Sequence, residues 1–412
     1  MLTMADHDEQ ALKWRRDFPM LTKKVHGHPL VYLDSAATAQ KPQSVIERMR
    51  RFYSEEYATV NRGVYLISQQ STSECNRIRV LAQQFIGANS SDEIIFTKGT
   101  TEAINLVAHS FGKKFLQAGD EIIISTLEHH ANIVPWQMAC ENYGATLKVI
   151  PANDLGELDL DAYQKLLNPK TKLVALGHAS NALGTIHPIE EMIQLAKKVG
   201  AYTLIDGAQA VPHFAVDVQK LDCDFYCFSA HKMFGPTGIG ILYGKADLLN
   251  QLPPYQTGGD MIESVTFEKS SFAPSPQRFE AGTPAIAEIV GLGAALEYLQ
   301  SLNRKMCEAH EQALLNYATE CLRSFPGVRL IGESKKKVAV LSFVMDKVHP
   351  HDIGTVLDEV GIAIRAGHHC AQPTMQRYGV PATVRISIAH YNTRSDIDRL
   401  MAGLQKVTKV FL

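Results

Sequence analysis

Short apolar runs alternate with stretches of helical periodicity along most of the chain. These runs lack the polar alternation of half-exposed strands, so we expect both faces of each strand to be buried. Strands of this kind form a mostly parallel sheet covered by helices, which defines an α/β fold. The predicted strands are residues 93–97, 120–125, 146–150, 172–176, 202–206, 224–229 and 238–243.

The same pattern divides the chain into three parts. Residues 1–30 are predicted to form an N-terminal arm that packs with a smaller domain, residues 31–284 a large domain, and residues 285–412 that smaller α+β domain. Residues 256–280 are rich in Gly, Ser and Pro, which predicts a long irregular loop. In the smaller domain we expect strands at residues 338–344, 361–365 and 383–388, and helices at residues 351–359 and 394–409.

Composition and charge argue against several classes of protein. The 412 residues are 45% hydrophobic and 20% charged, and a net charge of −2 does not suggest nucleic acid or an anionic membrane as partner. The N-terminus lacks an apolar core of signal-peptide length, and no later apolar run is long enough to span a bilayer. The cysteines are dispersed and odd in number, which argues against a disulfide framework and favours a reducing, cytoplasmic location.

Lys232 directly follows the predicted strand 224–229 and begins a Gly/Pro-rich turn. Because ammonium groups resist full burial, one interpretation is a lysine that extends its amine to solvent. The other is a desolvated lysine whose free amine forms a Schiff base with an aldehyde. Asp206 ends the preceding predicted strand. One interpretation is a helix cap, and the other is the partner that keeps the pyridine nitrogen of pyridoxal phosphate (PLP) protonated.

A second turn has the composition of a phosphate site. Gly99-Thr-Thr-Glu102 leads from a predicted strand into a helix, where free N–H groups and the helix dipole favour an anion. An ordinary N-cap threonine is the alternative. Ser229 and His231, which flank Lys232, are further candidate phosphate donors.

Polar residues after two other strands suggest contacts to a cofactor ring. The Glu128-His129-His130 motif is poorly suited to a metal, because adjacent histidines rarely chelate together and no third ligand has sensible spacing. His129 is better suited to stack on the ring or to transfer protons. Asn181 is a candidate donor to the phenolic oxygen of the ring, or a structural turn residue.

The smaller domain contributes a cysteine and an arginine. Cys370 lies in a loop between Arg365 and Pro373, where neighbouring Arg and His side chains lower a thiol pKa and leave the sulfur accessible. A zinc site of two histidines and this cysteine is the alternative. Arg385 is suited to clamp an amino-acid carboxylate with two hydrogen bonds, or to form a surface salt bridge. Together these residues predict a site for a PLP-bound amino acid with a sulfur nucleophile.

In these residues the sequence resembles the class V aminotransferase family, within the type I fold of PLP enzymes. More narrowly, it is similar to the group II cysteine desulfurases of the SufS type. The resemblance extends from about Phe18 to the C-terminus. The motifs that carry it are Tyr32-Leu-Asp-Ser-Ala-Ala, Arg62-Gly63, Gly99-Thr-Thr-Glu, Glu128-His-His-Ala-Asn-Ile-Val-Pro-Trp136, Asp206-Gly-Ala-Gln209, His231-Lys232, Glu280-Ala-Gly-Thr-Pro284 and Arg365-Ala-Gly-His-His-Cys370.

The resemblance implies a homodimer that removes sulfur from L-cysteine, leaving L-alanine and a persulfide on Cys370. The sulfur would then pass to an acceptor protein of the SufE or SufU type for iron–sulfur cluster assembly. Selenocysteine lyase activity is a further expectation for the same site. Asn61 stands where many relatives have a histidine, so any role of that histidine is absent or altered here.

The resemblance also implies roles for individual residues, none of which is a metal ligand. Lys232 would bind PLP covalently, Asp206 would contact the pyridine nitrogen and His129 would stack on the ring. The other predicted contacts are Gln209 and Asn181 to the phenolic oxygen, Thr101, Ser229 and His231 to the phosphate, Thr283 to the phosphate from the other subunit, and Arg385, Arg365 and Ala36 to the substrate.

Overall fold

A seven-stranded sheet forms the centre of the computed structural model, which describes residues 4–411. One strand, Gly240–Gly244, runs antiparallel to both of its neighbours, and the other pairings are parallel. The predicted α/β fold with a mostly parallel sheet is therefore confirmed. From edge to edge the strands are Ile94–Thr97, Gly240–Gly244, Phe225–Ser229, Tyr202–Asp206, Thr171–Gly177, Glu121–Ser125 and Thr146–Ile150.

Helices bury both faces of this sheet. Ile123, Val174 and Ile205 belong to one hydrophobic cluster, whereas their chain neighbours contribute to a second cluster on the opposite face. Both faces therefore need apolar side chains, which explains why the sequence shows no polar alternation. The helices of this part are Gln43–Arg51, Leu66–Ile86, Thr100–Phe115, Val134–Tyr143, Leu160–Leu166, Ile189–Lys198, Val218–Leu221, Ala246–Leu249 and Ile286–Ser301.

A second sheet of four antiparallel strands lies in the C-terminal part of the chain. Residues 361–365, predicted as one strand, are divided between Ile362–Ala363 and Arg365–Gly367. The four strands, in order, are Val328–Ile331, Val340–Met345, Thr383–Ser387 and Arg365–Gly367. The accompanying helices are Arg304–Arg323, Pro350–Asp358, Gln372–Arg377 and Arg394–Phe411.

The N-terminal segment packs against the C-terminal part. Helix Met4–Arg15 contacts helix Arg304–Arg323, and Arg15 forms a 3.1 Å ion pair with Asp396. Strand Val31–Tyr32 pairs in parallel with Ile362–Ala363 rather than with the seven-stranded sheet. The remaining short elements are strands Lys24–Val25 and His28–Pro29, and helical turns Pro19–Thr22, Phe52–Glu56, Ser91–Glu93, His130–Asn132, Ala230–Lys232 and Gln277–Phe279.

The prediction of an irregular loop over residues 256–280 is wrong in part. This segment contains an antiparallel hairpin formed by Ile262–Val265 and Ser270–Phe272. A hydrogen bond of 2.7 Å between the Ser264 and Ser271 hydroxyls joins the two strands. Its strands are short and largely polar, so they lack the alternating apolar positions by which a strand is recognised in a sequence.

Gly207 occupies a position where the fold leaves no room for a side chain. A Cβ atom there would lie 2.1 Å from Cε1 of Tyr226, which is fully buried. We expect Gly207→Ala to lower the free energy of unfolding by about 1–3 kcal/mol, because the ring or the backbone next to Asp206 must move. Urea denaturation would measure this change.

Gly354→Ala is the matched control. It lies inside helix Pro350–Asp358, and the nearest atom to its added Cβ would be 3.5 Å away. Alanine favours a helix over glycine, so this variant should keep or slightly raise the urea midpoint. Equal midpoints for the two variants would contradict the packing argument.

Candidate active site

A cavity of about 270 Å³ lies where the carboxyl ends of the parallel strands meet the smaller sheet. This edge is where open α/β sheets bind ligands. Nearly all of the residues predicted from the sequence line it: Ala36, Thr101, His129, Asn181, Asp206, Gln209, Ser229, His231, Lys232, Arg365, Cys370 and Arg385.

Lys232 ends a short helical turn that the neighbouring segment holds in place. The carbonyl oxygen of His231 accepts hydrogen bonds from the backbone N–H of Ala39 at 3.0 Å and from Nζ of Lys41 at 2.9 Å. Desolvation lowers the pKa of Lys232, and the negative charge of Asp206 partly offsets this effect. The amine therefore has an environment that favours its neutral, nucleophilic form.

Asp206 lies at the end of strand Tyr202–Asp206 and is 8% exposed. Its Oδ1 atom accepts a hydrogen bond of 2.9 Å from the backbone N–H of Ala208. Desolvation raises the pKa of this carboxyl, whereas the positive charge of Lys232 lowers it. A buried carboxylate of this kind is well suited to pair with a protonated ring nitrogen.

The predicted phosphate turn is also present. Helix Thr100–Phe115 begins at the cavity, and Gly99 precedes it with a φ of 149°. A Cβ atom at Gly99 would come within 3.1 Å of Ser229 Oγ, so only glycine leaves this space open. The Ser229 hydroxyl lies 2.8 Å from Oγ1 of Thr100 and accepts a hydrogen bond from its backbone N–H. The helix dipole and these polar groups together favour an anion.

His129 is held in one orientation beside the cavity. Its Nδ1 atom accepts a hydrogen bond of 3.0 Å from the backbone N–H of Ala131. Burial is the main cause that lowers the pKa of His129 to about 3, with Lys232 adding to the effect. The imidazole is therefore neutral at ordinary pH and carries its proton on Nε2.

Glu128, for which the sequence suggested no individual role, is a buried anchor of this loop. Its carboxyl accepts hydrogen bonds from the Ser125 hydroxyl at 2.5 Å, from Nδ2 of Asn132 at 2.7 Å and from the Gly177 backbone N–H at 2.8 Å. Burial raises the pKa of Glu128 to about 7. In the sequence, only its place in the Glu128-His129-His130 motif pointed to a role for this residue.

Arg385 enters the cavity from the smaller sheet. It is 2% exposed, so the alternative of a surface salt bridge is wrong. Its Nη2 atom pairs with Asp34 Oδ1 at 3.1 Å, and its Nη1 donates to the Asn181 carbonyl at 2.9 Å. Its Nε atom is buried without a partner among residues 4–411. Arg365 also contacts Asp34, at 3.3 Å.

Cys370 is exposed and lies on a strained loop. His369 and Cys370 have positive φ angles, of 55° and 54°, which residues other than glycine rarely adopt. The His130 backbone N–H donates to the Cys370 carbonyl at 2.7 Å, and Nδ2 of Asn181 donates to the His369 carbonyl at 2.6 Å. These contacts hold the sulfur-bearing loop against the larger sheet.

Thr283 and Asn61 do not line this cavity. Thr283 lines a separate groove beside Lys98 and Gln256, so its predicted contact from another subunit stays a prediction. Asn61 has a φ of 69°, and its backbone N–H donates a hydrogen bond of 2.8 Å to Oγ1 of Thr72.

The residues of the cavity fit PLP. They provide an amine, a carboxylate and an anion cradle, and the buried Oδ1 of Asn181 and Nε of Arg385 have no partner among the described residues. Within residues 4–411, no three His, Cys, Asp or Glu side chains group closely enough to hold a metal ion. In the same part of the chain, no helix is long and apolar enough to cross a membrane.

The fold and this site together define a PLP-dependent enzyme of the type I fold. A family model described as Aminotransferase class-V matches residues 31–400. The cysteine desulfurase of Pectobacterium carotovorum subsp. carotovorum is 51% identical over 397 residues, which cover 96% of this chain and 97% of that protein. The chain therefore belongs to the class-V aminotransferase family, in the group of the cysteine desulfurases, and its cofactor is PLP.

Other relatives agree with this assignment. The cysteine desulfurase of Synechococcus elongatus is 52% identical over 95% of this chain, which spans only 63% of that longer protein. The crystal structure of the cysteine desulfurase CsdA from Escherichia coli has a TM-score of 0.91 and 40% identity, and covers 98% of this chain and 99% of that one. The apo cysteine desulfurase of Thermococcus onnurineus has a TM-score of 0.90 and 37% identity, over 96% and 99% of the two chains.

Burial of neutral histidines gives the fold a predictable dependence on pH. The unfolded chain binds protons at histidine near pH 6.5, whereas the folded chain does so only at lower pH, so acidification favours unfolding. Two buried carboxyls oppose this effect, because burial raises the pKa of Glu128 to about 7 and also raises the pKa of Asp206. Burial lowers the histidine pKa values to about 3 for His129, His187, His369 and His390, and to about 4 for His178 and His231.

We therefore expect the free energy of unfolding to fall as the pH decreases from about 6.5 towards 4. Urea denaturation of the holoenzyme at pH 7 and pH 5 measures this difference. A midpoint that is unchanged or higher at pH 5 would contradict the assignment of these histidines as buried and neutral.

Proposed function

We propose that the protein converts L-cysteine to L-alanine and collects the sulfur as a persulfide on Cys370. One observation carries this proposal. An exposed cysteine on a strained loop lines the same cavity as Lys232, Asp206 and Arg385. Lys232, Asp206 and Arg385 suit an amino acid bound through PLP, and the thiol supplies a nucleophile for its side chain.

The cavity residues would hold the cofactor at three points. The N-terminus of helix Thr100–Phe115, with Thr101, Ser229 and His231, would bind the phosphate. Asp206 would keep the ring nitrogen protonated, His129 would stack on the ring, and Gln209 and Asn181 would contact the phenolic oxygen. Bound PLP supplies an electron sink for the pair released at the substrate α-carbon.

Arg385 binds the substrate in this proposal. Its Nε atom, which has no partner among the described residues, would donate to an amino-acid carboxylate, and Arg365 and Ala36 would complete the contact. A carboxylate bound there is fixed relative to Lys232, whose lowered pKa leaves the amine free to take the α-proton.

Cys370 then performs the transfer of sulfur. Its thiolate attacks the substrate sulfur, so an S–S bond forms while the C–S bond breaks and leaves its electron pair on carbon. Protonation of that carbon and return of a proton to the α-carbon give L-alanine, and the sulfur atom stays on Cys370 as a persulfide.

The sulfur on Cys370 needs an acceptor. We place the protein with the SufS type, which passes persulfide sulfur to a SufE-type or SufU-type protein for iron–sulfur cluster assembly. The exposure of Cys370 supports direct access by another protein. Seven cysteines, none of them in a disulfide, are consistent with a reducing, cytoplasmic location. Sulfur transfer from the loaded enzyme to each acceptor type would test the pairing.

A homodimer is part of the same proposal. Several large apolar side chains next to one another are exposed, including Val64 at 91% and Leu66 at 68%. An exposed apolar patch of this kind is typical of an interface. Thr283 lies outside the cavity of its own chain, consistent with a contact to a second subunit. A monomeric mass in sedimentation equilibrium at micromolar concentration would exclude the dimer.

Selenocysteine lyase activity is a second candidate function. Lys232, Asp206 and Arg385 are held by contacts that do not involve the Cys370 side chain. Selenium leaves carbon more readily than sulfur does, so elimination of selenium can proceed without a thiol nucleophile.

Cys370→Ala separates the two activities. We expect alanine formation from L-cysteine to fall by about 100-fold or more, because the attacking thiolate is lost. Alanine formation from L-selenocysteine should fall far less. Alanine quantified by chromatography measures both reactions, with Cys321→Ala as a control at a partly exposed cysteine outside the cavity. Wild-type turnover of L-cysteine in Cys370→Ala would exclude Cys370 as the nucleophile.

A further inference from the structure

A second, much smaller cavity lies behind Lys232. Its volume is about 10 Å³, which is close to the minimum that holds one water molecule. Gln209 and Lys232 line both this rear cavity and the large one, so they form part of the wall between them. The other polar residues of the rear cavity are Ser35, His213 and Glu311.

His213 and Glu311 form a buried pair at this cavity. His213 Nδ1 and Glu311 Oε2 are 2.6 Å apart, and the two residues are 8% and 5% exposed. His213 lies in the segment that follows Asp206, and Glu311 lies inside helix Arg304–Arg323. Because Nδ1 contacts the carboxylate, Nε2 is the second polar atom of the ring and remains for a bridging water.

A structural role alone does not explain this arrangement. An ion pair that only joins a helix to a loop gains most from close packing, because a buried polar group without a partner is costly. Here the pair instead adjoins a water-sized space that also reaches the active-site lysine. A water there has enough polar neighbours for the two to four hydrogen bonds that buried waters make.

Other titratable groups surround both the His213–Glu311 pair and Lys232. Around the pair lie Arg304, His310, His390 and Tyr391. Around Lys232 lie Asp206, Arg385, Cys370, Arg365, His129 and His231. Three carboxylates line a cavity together with Lys232. Asp206 and Glu128 line the large cavity, and Glu311 lines the rear one.

We propose that His213 and Glu311, through one water in the rear cavity, position the amine of Lys232 and exchange a proton with it. This inference rests on the proposed function, in which Lys232 takes the α-proton of the substrate. The proton passes from the lysine nitrogen to the water while the water gives one to Nε2 of His213, whose Nδ1–H stays hydrogen-bonded to Glu311, and the reverse transfer restores it. No electron or further reactant is needed, and neither residue touches the substrate.

Glu311→Gln and His213→Asn test this proposal in the holoenzyme. We expect the pKa read from the visible absorption of the bound cofactor to fall by about one unit in Glu311→Gln, because the carboxylate at the far end of the proposed water bridge is lost. In both variants kcat for L-cysteine should fall by about tenfold while KM is unchanged. Melting temperature and cofactor content show whether each variant is folded.

His310→Gln is the matched control. It removes a buried imidazole next to Glu311 on the same helix, but His310 does not line the rear cavity. Its cofactor spectrum should titrate as in the wild type. Should the two test variants fold and give wild-type titrations and kcat values, the proposal is overturned.

A third variant keeps the test decisive if the polar ones fail to fold. Ala389 lines the rear cavity and is 3% exposed, so Ala389→Val fills the space without altering the pair. It should reproduce the loss of kcat, and wild-type behaviour would overturn the proposal. Alanine formation by the unaltered enzyme tests the proposed function separately, so failure of either claim can be recognised.

Discussion

The buried ion pair between Arg385 and Asp34 is the interaction on which the site depends. Asp34 follows strand Val31–Tyr32 and forms a β-bridge with Ser387, and Arg385 lies on strand Thr383–Ser387 of the smaller sheet. The same guanidinium donates to the carbonyl of Asn181, which follows the carboxyl end of strand Thr171–Gly177 in the seven-stranded sheet. Removal of one partner would leave an uncompensated buried charge at a cost of about 3–5 kcal/mol, so the three segments must keep this arrangement. Their junction forms the cavity.

The charged side chains at this junction carry a net positive charge. Asp34 pairs with both Arg385 and Arg365, so one carboxylate balances two guanidinium groups. The helix N-terminus at Thr100 adds a further positive potential on the opposite side. A carboxylate and a phosphate are therefore both attracted to this cavity.

Much of this site could be predicted from residues that follow buried strands. Asp206, Ser229 and Lys232 could be identified because parallel strands direct their carboxyl ends to one edge, whatever the details of the loops. Asp34 could not, since its partner Arg385 is 351 residues away and no local pattern joins them. The hairpin of residues 262–272 could not be predicted either, because its strands are largely polar and have no apolar periodicity.

The central claim is that Cys370 receives the sulfur of L-cysteine. It is tested most directly by treating the enzyme with L-cysteine in the absence of an acceptor, blocking free thiols and analysing its peptides by mass spectrometry. The account predicts that the Cys370 peptide gains the mass of one sulfur atom, with alanine formed in equal amount. Alanine formation with no sulfur on that peptide, or with the added sulfur on another cysteine, would contradict it.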